Sequence, residues 1–479
     1  MHKNYKPGKY SSYMLFFLPL IFAMLLDFSR EADTWFLLSH GRYILNNGFP
    51  YKEILSMHSD FSFIMQQWLS ATVFYTIYKV FKEFGLYIFY LLMNALITYL
   101  IYKLCMIISN RKVYVSCLIS VISILLLQLN FIVVRPQLFS YVFLLLLMII
   151  LQLFYNNKSS KSIYFLPLIA LLLINFHASW FPMFIIICMP YLAEYLIKKD
   201  KRFYKLIILI ILSILVSLIN PYGLKAVLYG LGSYGVGNTK DFIIEMMPFN
   251  LANKKIFYEC LQFLAVFLIV NTTMIFSCRK EKMNIHVILF IYGFFFMGLL
   301  GMKNICFYYL FALPFLSKFI KVEDGEGEKL PVKTYGFLLL IFICFFSYNI
   351  YNKEYKLQSG IEDIIEYLDN NTSKDIKLYT NYDNGSYVEF YGYKPYIDTR
   401  AEVFIKKNNK NKDVLDEYYK LLKGNLDIDK FIDNYKFDYI LVDESENLYN
   451  YIKNCEDYEL IYSGKYKNTL LFKRKYSQT

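Results

Sequence analysis

Strongly apolar segments, separated by short polar turns, recur along the chain from Ser12 to Tyr351. Apolar runs of about 17 to 25 residues predict membrane-spanning helices, and we count about eleven such segments. Residues 352–479 are instead rich in Asp, Lys, Asn and Tyr and contain no such run. The pattern predicts an α-helical polytopic membrane protein with a small C-terminal α/β domain.

The apolar segments are unevenly spaced, because a gap of roughly 40 residues follows the first span. That span covers about residues 12–28, and the first outer loop covers residues 29–67. The next apolar segment, residues 66–81, is about 16 residues long and directly precedes a much clearer span. We interpret it as a helix that lies in the membrane interface, within a transmembrane domain of residues 1–351.

The positions of Lys and Arg support this interpretation. Counting residues 66–81 as a span would place Lys158, Lys161 and the basic run 198–205 outside the cell, whereas an interfacial helix places every strongly basic turn in the cytoplasm. The outer loop 220–255 contains four lysines and is the exception, although long loops count less. We predict a multi-pass protein of the plasma membrane with a cytoplasmic N-terminus and an extracytoplasmic C-terminal domain.

The C-terminal region alternates between short helical and strand patterns. The predicted helices are residues 360–368, 413–422, 428–435 and 448–453, and the predicted strands are residues 376–379, 395–398, 438–442, 459–463 and 469–473. Asp383-Asn384-Gly385-Ser386 predicts a turn. The region is long enough for a hydrophobic core of its own.

Composition narrows the class of protein. Hydrophobic residues make up 57% of the chain, which is typical of a membrane protein. The net charge of +12 comes mainly from turns between spans, so it gives no support to nucleic-acid binding. The cysteine spacing indicates neither a disulfide framework nor a zinc site.

The first outer loop contains the candidate catalytic residues Glu31 and Asp33. Both follow the end of the first span, where a partly desolvated carboxylate can act as a general base. Alternatively, Asp33 caps the following helix and Glu31 is solvated.

Four polar residues near other predicted outer boundaries are candidates for binding a phosphate. Arg135 offers a bidentate guanidinium, Lys303 an ammonium, and His177 and Asn175 interrupt an apolar run. Arg135 and Lys303 could instead extend to the lipid headgroups, and His177 and Asn175 could serve in capping or packing. No second His or Cys lies near His177 in sequence, so we assign no metal and no cofactor.

Four of these residues, Asp33, Arg135, Asn175 and His177, belong to motifs that resemble the GT-C superfamily of polytopic glycosyltransferases, in particular a bacterial branch related to the aminoarabinose and protein O-mannosyl transferases. The similar stretches, which follow the same order and approximate spacing over nearly the whole chain, are Asp33 to Ile44, Gly48-Phe49-Pro50, Trp68-Leu69-Ser70, Arg135-Pro136-Gln137, Asn175-Phe176-His177, Asn220-Pro221-Tyr222-Gly223, Asn384-Gly385-Ser386-Tyr387 and Asp398-Thr399-Arg400. The resemblance implies that Asp33 is the first-loop catalytic acid and that a lipid carrier binds among the outer ends of the spans.

The chain departs from this pattern in two places. Many relatives have an adjacent acidic pair, but here Ala32 separates Glu31 from Asp33, and Gln66-Gln67-Trp68 replaces a common His-Glu-Trp. The second departure removes possible metal ligands, so the resemblance carries no metal site over to this chain.

Together these features predict an inverting glycosyltransferase. It would move a sugar from a polyprenyl-phosphate-linked donor to an extracytoplasmic acceptor, either an envelope polymer or a glycolipid, among the membrane lipids. Asp33 would be the base, with Glu31 in support, and Arg135, His177, Lys303 and Asn175 would bind the donor. The alternatives are a lipid-linked oligosaccharide flippase or transporter, in which charges should continue through the bundle core, and a non-catalytic membrane scaffold.

Overall fold

The computed structural model describes residues 12–26, 32–157, 161–232, 240, 243–278, 283–322, 348, 359–465 and 468–475. The chain divides into two compact units. Unit 1 contains Met1–Asp27, Leu86–Leu231 and Ile243–Tyr355, and unit 2 contains Phe28–Gly85, Gly232–Phe242 and Lys356–Thr479. Residues 28–85 thus group with the C-terminal region, and the domain boundary predicted near residue 351 lies outside the described residues.

Helices dominate both units. They are α1 (Phe17–Leu25), α2 (Ala32–Asn47), α3 (Trp68–Ile108), α4 (Val113–Asn130), α5 (Gln137–Tyr155), α6 (Leu166–His177), α7 (Phe181–Ile197), α8 (Arg202–Val216), α9 (Leu224–Gly232), α10 (Phe257–Cys278), α11 (Ile285–Leu299), α12 (Glu362–Asn371), α13 (Tyr382–Phe390), α14 (Val414–Leu422), α15 (Ile428–Tyr435) and α16 (Asn447–Ile452). Shorter helical turns are Tyr13–Phe16, Ser162–Phe165, Ala178–Trp180, Ile244–Met246, Met302–Asn304, Ile305–Phe307, Tyr308–Ala312, Leu313–Phe315, Leu316–Phe319, Ala401–Phe404 and Lys406–Asn409.

In the part of the chain that the structure describes, five helices are long and apolar enough to cross a membrane. They are Trp68–Ile108, Val113–Asn130, Gln137–Tyr155, Ser162–Ile197 and Phe257–Ser277. Tyr13–Leu25 and Ile285–Leu299 are shorter apolar helices. The predicted last span, residues 333–351, lies outside the described residues except for Tyr348, so the count of about eleven spans stays a prediction.

Two of the long helices are interrupted. Lys82 has φ 52° and ψ −150°, so α3 breaks between the predicted interfacial segment 66–81 and the apolar segment that follows it. His177 has φ −160° and ψ 78°, which ends α6 and starts the turn Ala178–Trp180 before α7. Such breaks release backbone groups from the helix and redirect the side chains beside them.

Unit 2 contains a five-stranded sheet. Its strands are β1 (Lys377–Tyr379), β2 (Lys394–Pro395), β3 (Tyr439–Asp443), β4 (Tyr458–Ser463) and β5 (Thr469–Arg474), in the order β2-β1-β3-β5-β4. β1 is parallel to β2 and β3, and β5 is antiparallel to β3 and β4. The sheet and its helices form the small α/β region that the sequence predicts for the tail.

The predicted turn at residues 383–386 is wrong, because these residues lie inside α13. The Asn381 side chain accepts a hydrogen bond from the Asn384 backbone at 3.0 Å and caps the helix. A Cβ atom on Gly385 would lie 2.0 Å from the Ile397 carbonyl oxygen. Gly385 therefore allows a close approach of two backbone segments. A local sequence pattern cannot distinguish this role of glycine from its role in a turn.

The first outer loop is bound to the C-terminal region within unit 2. The Met57 backbone N–H donates to the Pro395 carbonyl at 3.1 Å, and the Ser62 N–H donates to the Asn409 carbonyl at 3.1 Å. The His58 imidazole contacts the Tyr396 carbonyl at 2.9 Å. Residues more than 300 positions apart in sequence therefore share one folded unit.

Candidate functional site

Asp33 lies half-buried in the first turn of α2. The Trp35 ring packs against Tyr387 and Phe390 of α13, with ring centroids 4.9 Å and 5.0 Å apart. Two turns along α2, Arg42 donates to the Phe390 carbonyl at 2.8 Å. The C-terminal region therefore sets the position of the helix that carries Asp33.

Two residues of the C-terminal region lie within electrostatic reach of Asp33. Burial raises the pKa of Glu402, and the negative charge of Asp33 adds to the rise. Burial also holds the pKa of Tyr382 well above its ordinary value, again with a contribution from Asp33. Glu402 accepts a hydrogen bond from the Gln66 amide at 2.8 Å, and the Tyr382 hydroxyl donates to the Thr399 carbonyl at 2.6 Å.

Asp33 and Glu402, from opposite ends of the chain, are thus two carboxyl groups within electrostatic reach of each other. A raised pKa means that Glu402 keeps its proton to a higher pH than an ordinary glutamic acid. A pair in which one group retains a proton suits acid and base roles in catalysis. Glu402 could not be recognised from the sequence, because nothing in a single sequence links position 402 to position 33.

Next to this pair, Arg400 is the centre of a buried charge cluster. Its guanidinium donates to both oxygens of Glu53, at 3.0 and 2.9 Å, and to Glu389 at 3.0 Å. It also binds both oxygens of Asp398, at 2.9 and 2.6 Å. It also contacts His40 Nε2, at 3.3 Å. Arg400 is 2% exposed, and the side chains of its three acidic partners are 0% exposed.

Two of the three carboxylates have further donors that favour the ionised form. Glu53 Oε1 accepts hydrogen bonds from the backbone N–H groups of Leu55 and Ser56, at 2.8 and 2.9 Å. Asp398 accepts one from the Arg400 backbone at 2.7 Å. Burial opposes ionisation of both groups, but the charge and hydrogen bonds of Arg400 outweigh it, so the pKa values of Glu53 and Asp398 are lowered.

Glu389 behaves in the opposite way. Burial is the largest cause of a pKa well above the ordinary value, and the charge of Asp398 adds to it although Arg400 opposes it. Glu389 Oε2 is buried and accepts no hydrogen bond from the described residues. A proton on this oxygen, shared with Asp398, accounts for both observations. One arginine then faces two ionised carboxylates instead of three, so the net charge of the cluster is −1 instead of −2.

His40 is neutral within this cluster. Burial, followed by the charge of Arg400, lowers the pKa of His40 to about 3. Because Arg400 can only donate, His40 Nε2 accepts, and Nδ1 donates to the Phe36 carbonyl at 3.0 Å. The sequence marks Asp398 and Arg400 only as parts of one motif. It missed His40, Glu53 and Glu389, whose common partner appears only on folding.

In unit 1, three of the predicted donor-binding residues converge around the start of α5. Arg135 precedes α5 and pairs with Glu245 at 2.9 Å. The His177 Nδ1 atom, at the break between α6 and α7, lies 2.9 Å from the hydroxyl of Ser140 on α5. The Lys303 charge acts on the same imidazole.

Aromatic and sulfur contacts connect the same residues. Tyr141 packs on Trp180 at 5.3 Å between ring centroids, and Trp180 stacks on His177 at 5.3 Å. The Cys306 Sγ donates to the Lys303 carbonyl at 3.1 Å, and Cys306 lies within electrostatic reach of Tyr141. Arg135, His177 and Lys303 are thus joined through one set of neighbouring side chains.

Asn175 has different surroundings. Its amide donates to the Leu171 carbonyl at 2.9 Å and to the Ile219 carbonyl at 3.0 Å. These bonds use both amide hydrogens and tie α6 to the end of α8. This geometry is that of the capping and packing alternative.

Two further expectations concern the position of Glu31 and the binding of a metal. Glu31 lies outside them, so its place beside Asp33 stays a prediction. Among the residues that the structure describes, no group of three or more His, Cys, Asp or Glu side chains could hold a metal ion.

No protein-family model matches the chain, and no match is found among curated proteins. Among solved structures, the chain is similar to the oligosaccharyltransferase of Archaeoglobus fulgidus. One structure of that protein is tethered with an acceptor peptide containing the NVT sequon via a disulfide bond. Its match to this chain has a TM-score of 0.63 at 10% sequence identity, and covers 91% of this chain and 69% of that one. The apo form has a TM-score of 0.53 at 11% identity, and covers 91% and 70%.

The likeness extends over nearly the whole chain, including both the helical region and the C-terminal region. Identity of 10 to 11% is too low to carry over an activity, but agreement over 91% of the chain establishes the architecture. The chain therefore has a GT-C fold, the fold of this archaeal oligosaccharyltransferase.

Proposed function

We propose that this protein is an inverting glycosyltransferase of the plasma membrane, which transfers a sugar from a polyprenyl-phosphate carrier to an extracytoplasmic acceptor. The observation that carries the proposal is the convergence of Arg135, His177 and Lys303 in unit 1. Three polar side chains from distant parts of the sequence meet at the ends of apolar helices, where ionisable groups usually have a function. The fold is consistent with this reading.

The cations would bind the phosphate of the donor. Arg135 can offer two parallel N–H donors to phosphate oxygens, and Lys303 adds a second positive charge. Arg135 forms a salt bridge of 2.9 Å with Glu245, whose side chain is 54% exposed. A phosphate would replace Glu245 as the partner of Arg135. Glu245 is open to solvent, so its carboxylate can be hydrated when it leaves Arg135.

Asp33 would act as the general base. It would take the proton of the acceptor hydroxyl while the hydroxyl oxygen forms a bond to the anomeric carbon. The bond from that carbon to the phosphate oxygen breaks, and its electron pair leaves with the polyprenyl phosphate, whose charge the cations stabilise. Glu402, which holds its proton more strongly than usual, would donate a hydrogen bond. Glu31 would support Asp33.

The test compares Asp33→Asn with Asp383→Asn in membranes supplied with a panel of radiolabelled undecaprenyl-phosphate hexoses. Each aspartate lies in the first turn of a helix, so each substitution removes the same favourable interaction with a helix dipole. We expect Asp33→Asn to lower sugar transfer by about 10²- to 10⁴-fold, the usual contribution of a general base. Asp383→Asn should keep the wild-type rate.

Equal activity of the wild type and Asp33→Asn would exclude Asp33 as the base. Movement of labelled lipid across the bilayer without covalent transfer would instead identify a flippase. No transfer by the wild type from any member of the panel would overturn the assignment to these donors.

A further inference from the structure

A cationic cavity lies on unit 1, at the opposite end of α5 from Arg135. It has a volume of about 330 Å³ and is lined by Phe154, Asn157, Lys201, Arg202 and Lys205. These residues come from the end of α5 and the beginning of α8. The cavity therefore lies at the polar end of an apolar helix, where lipid headgroups would meet the protein.

Arg202 builds the wall of the cavity. Its guanidinium binds the Asp200 carboxylate at 2.9 and 2.6 Å and donates to the carbonyls of Phe154 and Tyr155, at 3.1 and 2.8 Å. It also donates to the Asn157 side chain at 2.7 Å. These bonds occupy the guanidinium and close the last turn of α5. Arg202 is consequently a positioning residue rather than a ligand.

Two lysines supply the positive charge of the cavity. The Lys205 ammonium lies over the rings of Tyr164 and Phe154, at 4.3 and 5.5 Å from their centroids, which holds it at the wall. Lys201 is exposed and precedes it by four residues, so both extend from one face of the helix start. The stretch 198–205 contains five cations and one carboxylate, so the charge favours an anion.

An apolar stripe continues from the cavity along α8. Tyr204, Ile208, Ile211 and Leu215 are spaced as one helical face and are 67%, 62%, 54% and 58% exposed. Eleven residues of helix separate the first from the last, about 16 Å at 1.5 Å per residue. One leaflet of a bilayer has a hydrocarbon depth of about 15 Å. Lys201 lies at the headgroup end of the same face.

We propose that this cavity and stripe bind an anionic phospholipid. Lys201 and Lys205 contact its phosphate headgroup, and an acyl chain lies along Tyr204, Ile208 and Leu215. A soluble anion would use the lysines but not the stripe, and a zwitterionic lipid would use the stripe but gain little from the lysines. Of these three kinds of ligand, the anionic phospholipid is the one that matches both parts.

The test measures lipid retention by native mass spectrometry of the full chain, purified in detergent with equal amounts of phosphatidylglycerol and phosphatidylcholine. The double variant Lys201→Gln/Lys205→Gln is compared with Lys254→Gln/Lys255→Gln, an exposed pair with the same change in charge. We expect the wild type and the control to prefer phosphatidylglycerol. The cavity variant should lose about 30-fold of that preference, the effect of about two lysines at a membrane surface.

Three results would overturn the proposal. An equal loss in the control pair would show that the preference comes from overall charge. Unchanged retention by the cavity variant would exclude these lysines as ligands. Displacement of phosphatidylglycerol by millimolar glycerol 3-phosphate would identify a site for soluble phosphates, because the acyl chain would then contribute nothing.

Discussion

Replacing Glu389 with Gln tests the assignment of a proton within the Arg400 cluster. Gln has the shape of a protonated Glu: its carbonyl can accept from Arg400, as Glu389 Oε1 does at 3.0 Å, and its amide can donate to Asp398. If Glu389 is protonated in the folded protein, the substitution keeps every hydrogen bond. It removes only the coupling between folding and the protonation of Glu389.

The effect of pH follows from the raised pKa of Glu389. Above about pH 4.3 the unfolded chain releases this proton while the folded protein keeps it, so each pH unit lowers the free energy of unfolding by about 1.4 kcal/mol. The loss continues until the pH reaches the folded pKa. Glu389→Gln lacks this loss, and its stability relative to the wild type should rise by about 1.4 kcal/mol per pH unit within that window.

Thermal unfolding of the full chain in detergent between pH 5 and pH 8 measures the difference. The matched control is Glu53→Gln, a change of the same chemistry at an equally buried side chain. Glu53 has a lowered pKa, so its contribution is present above the unfolded pKa and is lost as the pH falls through the folded value. Its loss should lower the free energy of unfolding by about 2 to 4 kcal/mol at pH 7. A Glu389→Gln protein that is destabilised like Glu53→Gln at pH 7 would show that Glu389 is ionised.

Three further predictions concern the fold and the proposed reaction. Gly385→Ala should prevent stable folding of unit 2, because its Cβ would lie 2.0 Å from a carbonyl oxygen. The control Gly293→Ala, whose Cβ would have nothing within 4 Å, should fold normally. The yield of monodisperse protein in size-exclusion chromatography measures the difference, and equal yields would contradict the prediction. Glu402→Gln should remain active and lose the alkaline decline of the wild-type pH–rate profile that ionisation of Glu402 produces, and an unchanged profile would argue against its role as a protonated donor. Arg135→Gln should raise the KM for the lipid-linked donor by about 10-fold or more. Asn175→Ala should lower the unfolding temperature and leave KM unchanged. The reverse pattern would assign donor binding to Asn175 and a structural role to Arg135.

The elements of the C-terminal region were largely predictable from the sequence, because their signals are local. Apolar periodicity and capping aspartates mark α14 and α15, where Asp413 and Asp427 accept hydrogen bonds from backbone N–H groups three residues on. The same local reasoning led to a wrong prediction around Gly385. Its Asn and Gly residues are typical of turns, but the cap and the close crossing of the backbone require a helix.

The candidate residues divide in the same way. Arg135, His177 and Lys303 were predictable, because a polar residue that interrupts an apolar run is visible in the sequence. Glu402 and the partners of Arg400 were not, because their significance depends on contacts between residues that lie as much as 360 positions apart.

The sequence by itself determined the apolar helices, the α/β tail and the chemical groups available for catalysis, since hydropathy, periodicity and capping act over a few residues. Only the tertiary structure decided that the first outer loop and the tail form one unit around Arg400. It also decided which carboxyl groups have a raised pKa. The physical reason is that protonation of a buried group depends on its desolvation and on neighbouring charges, and both are fixed only when distant segments pack together.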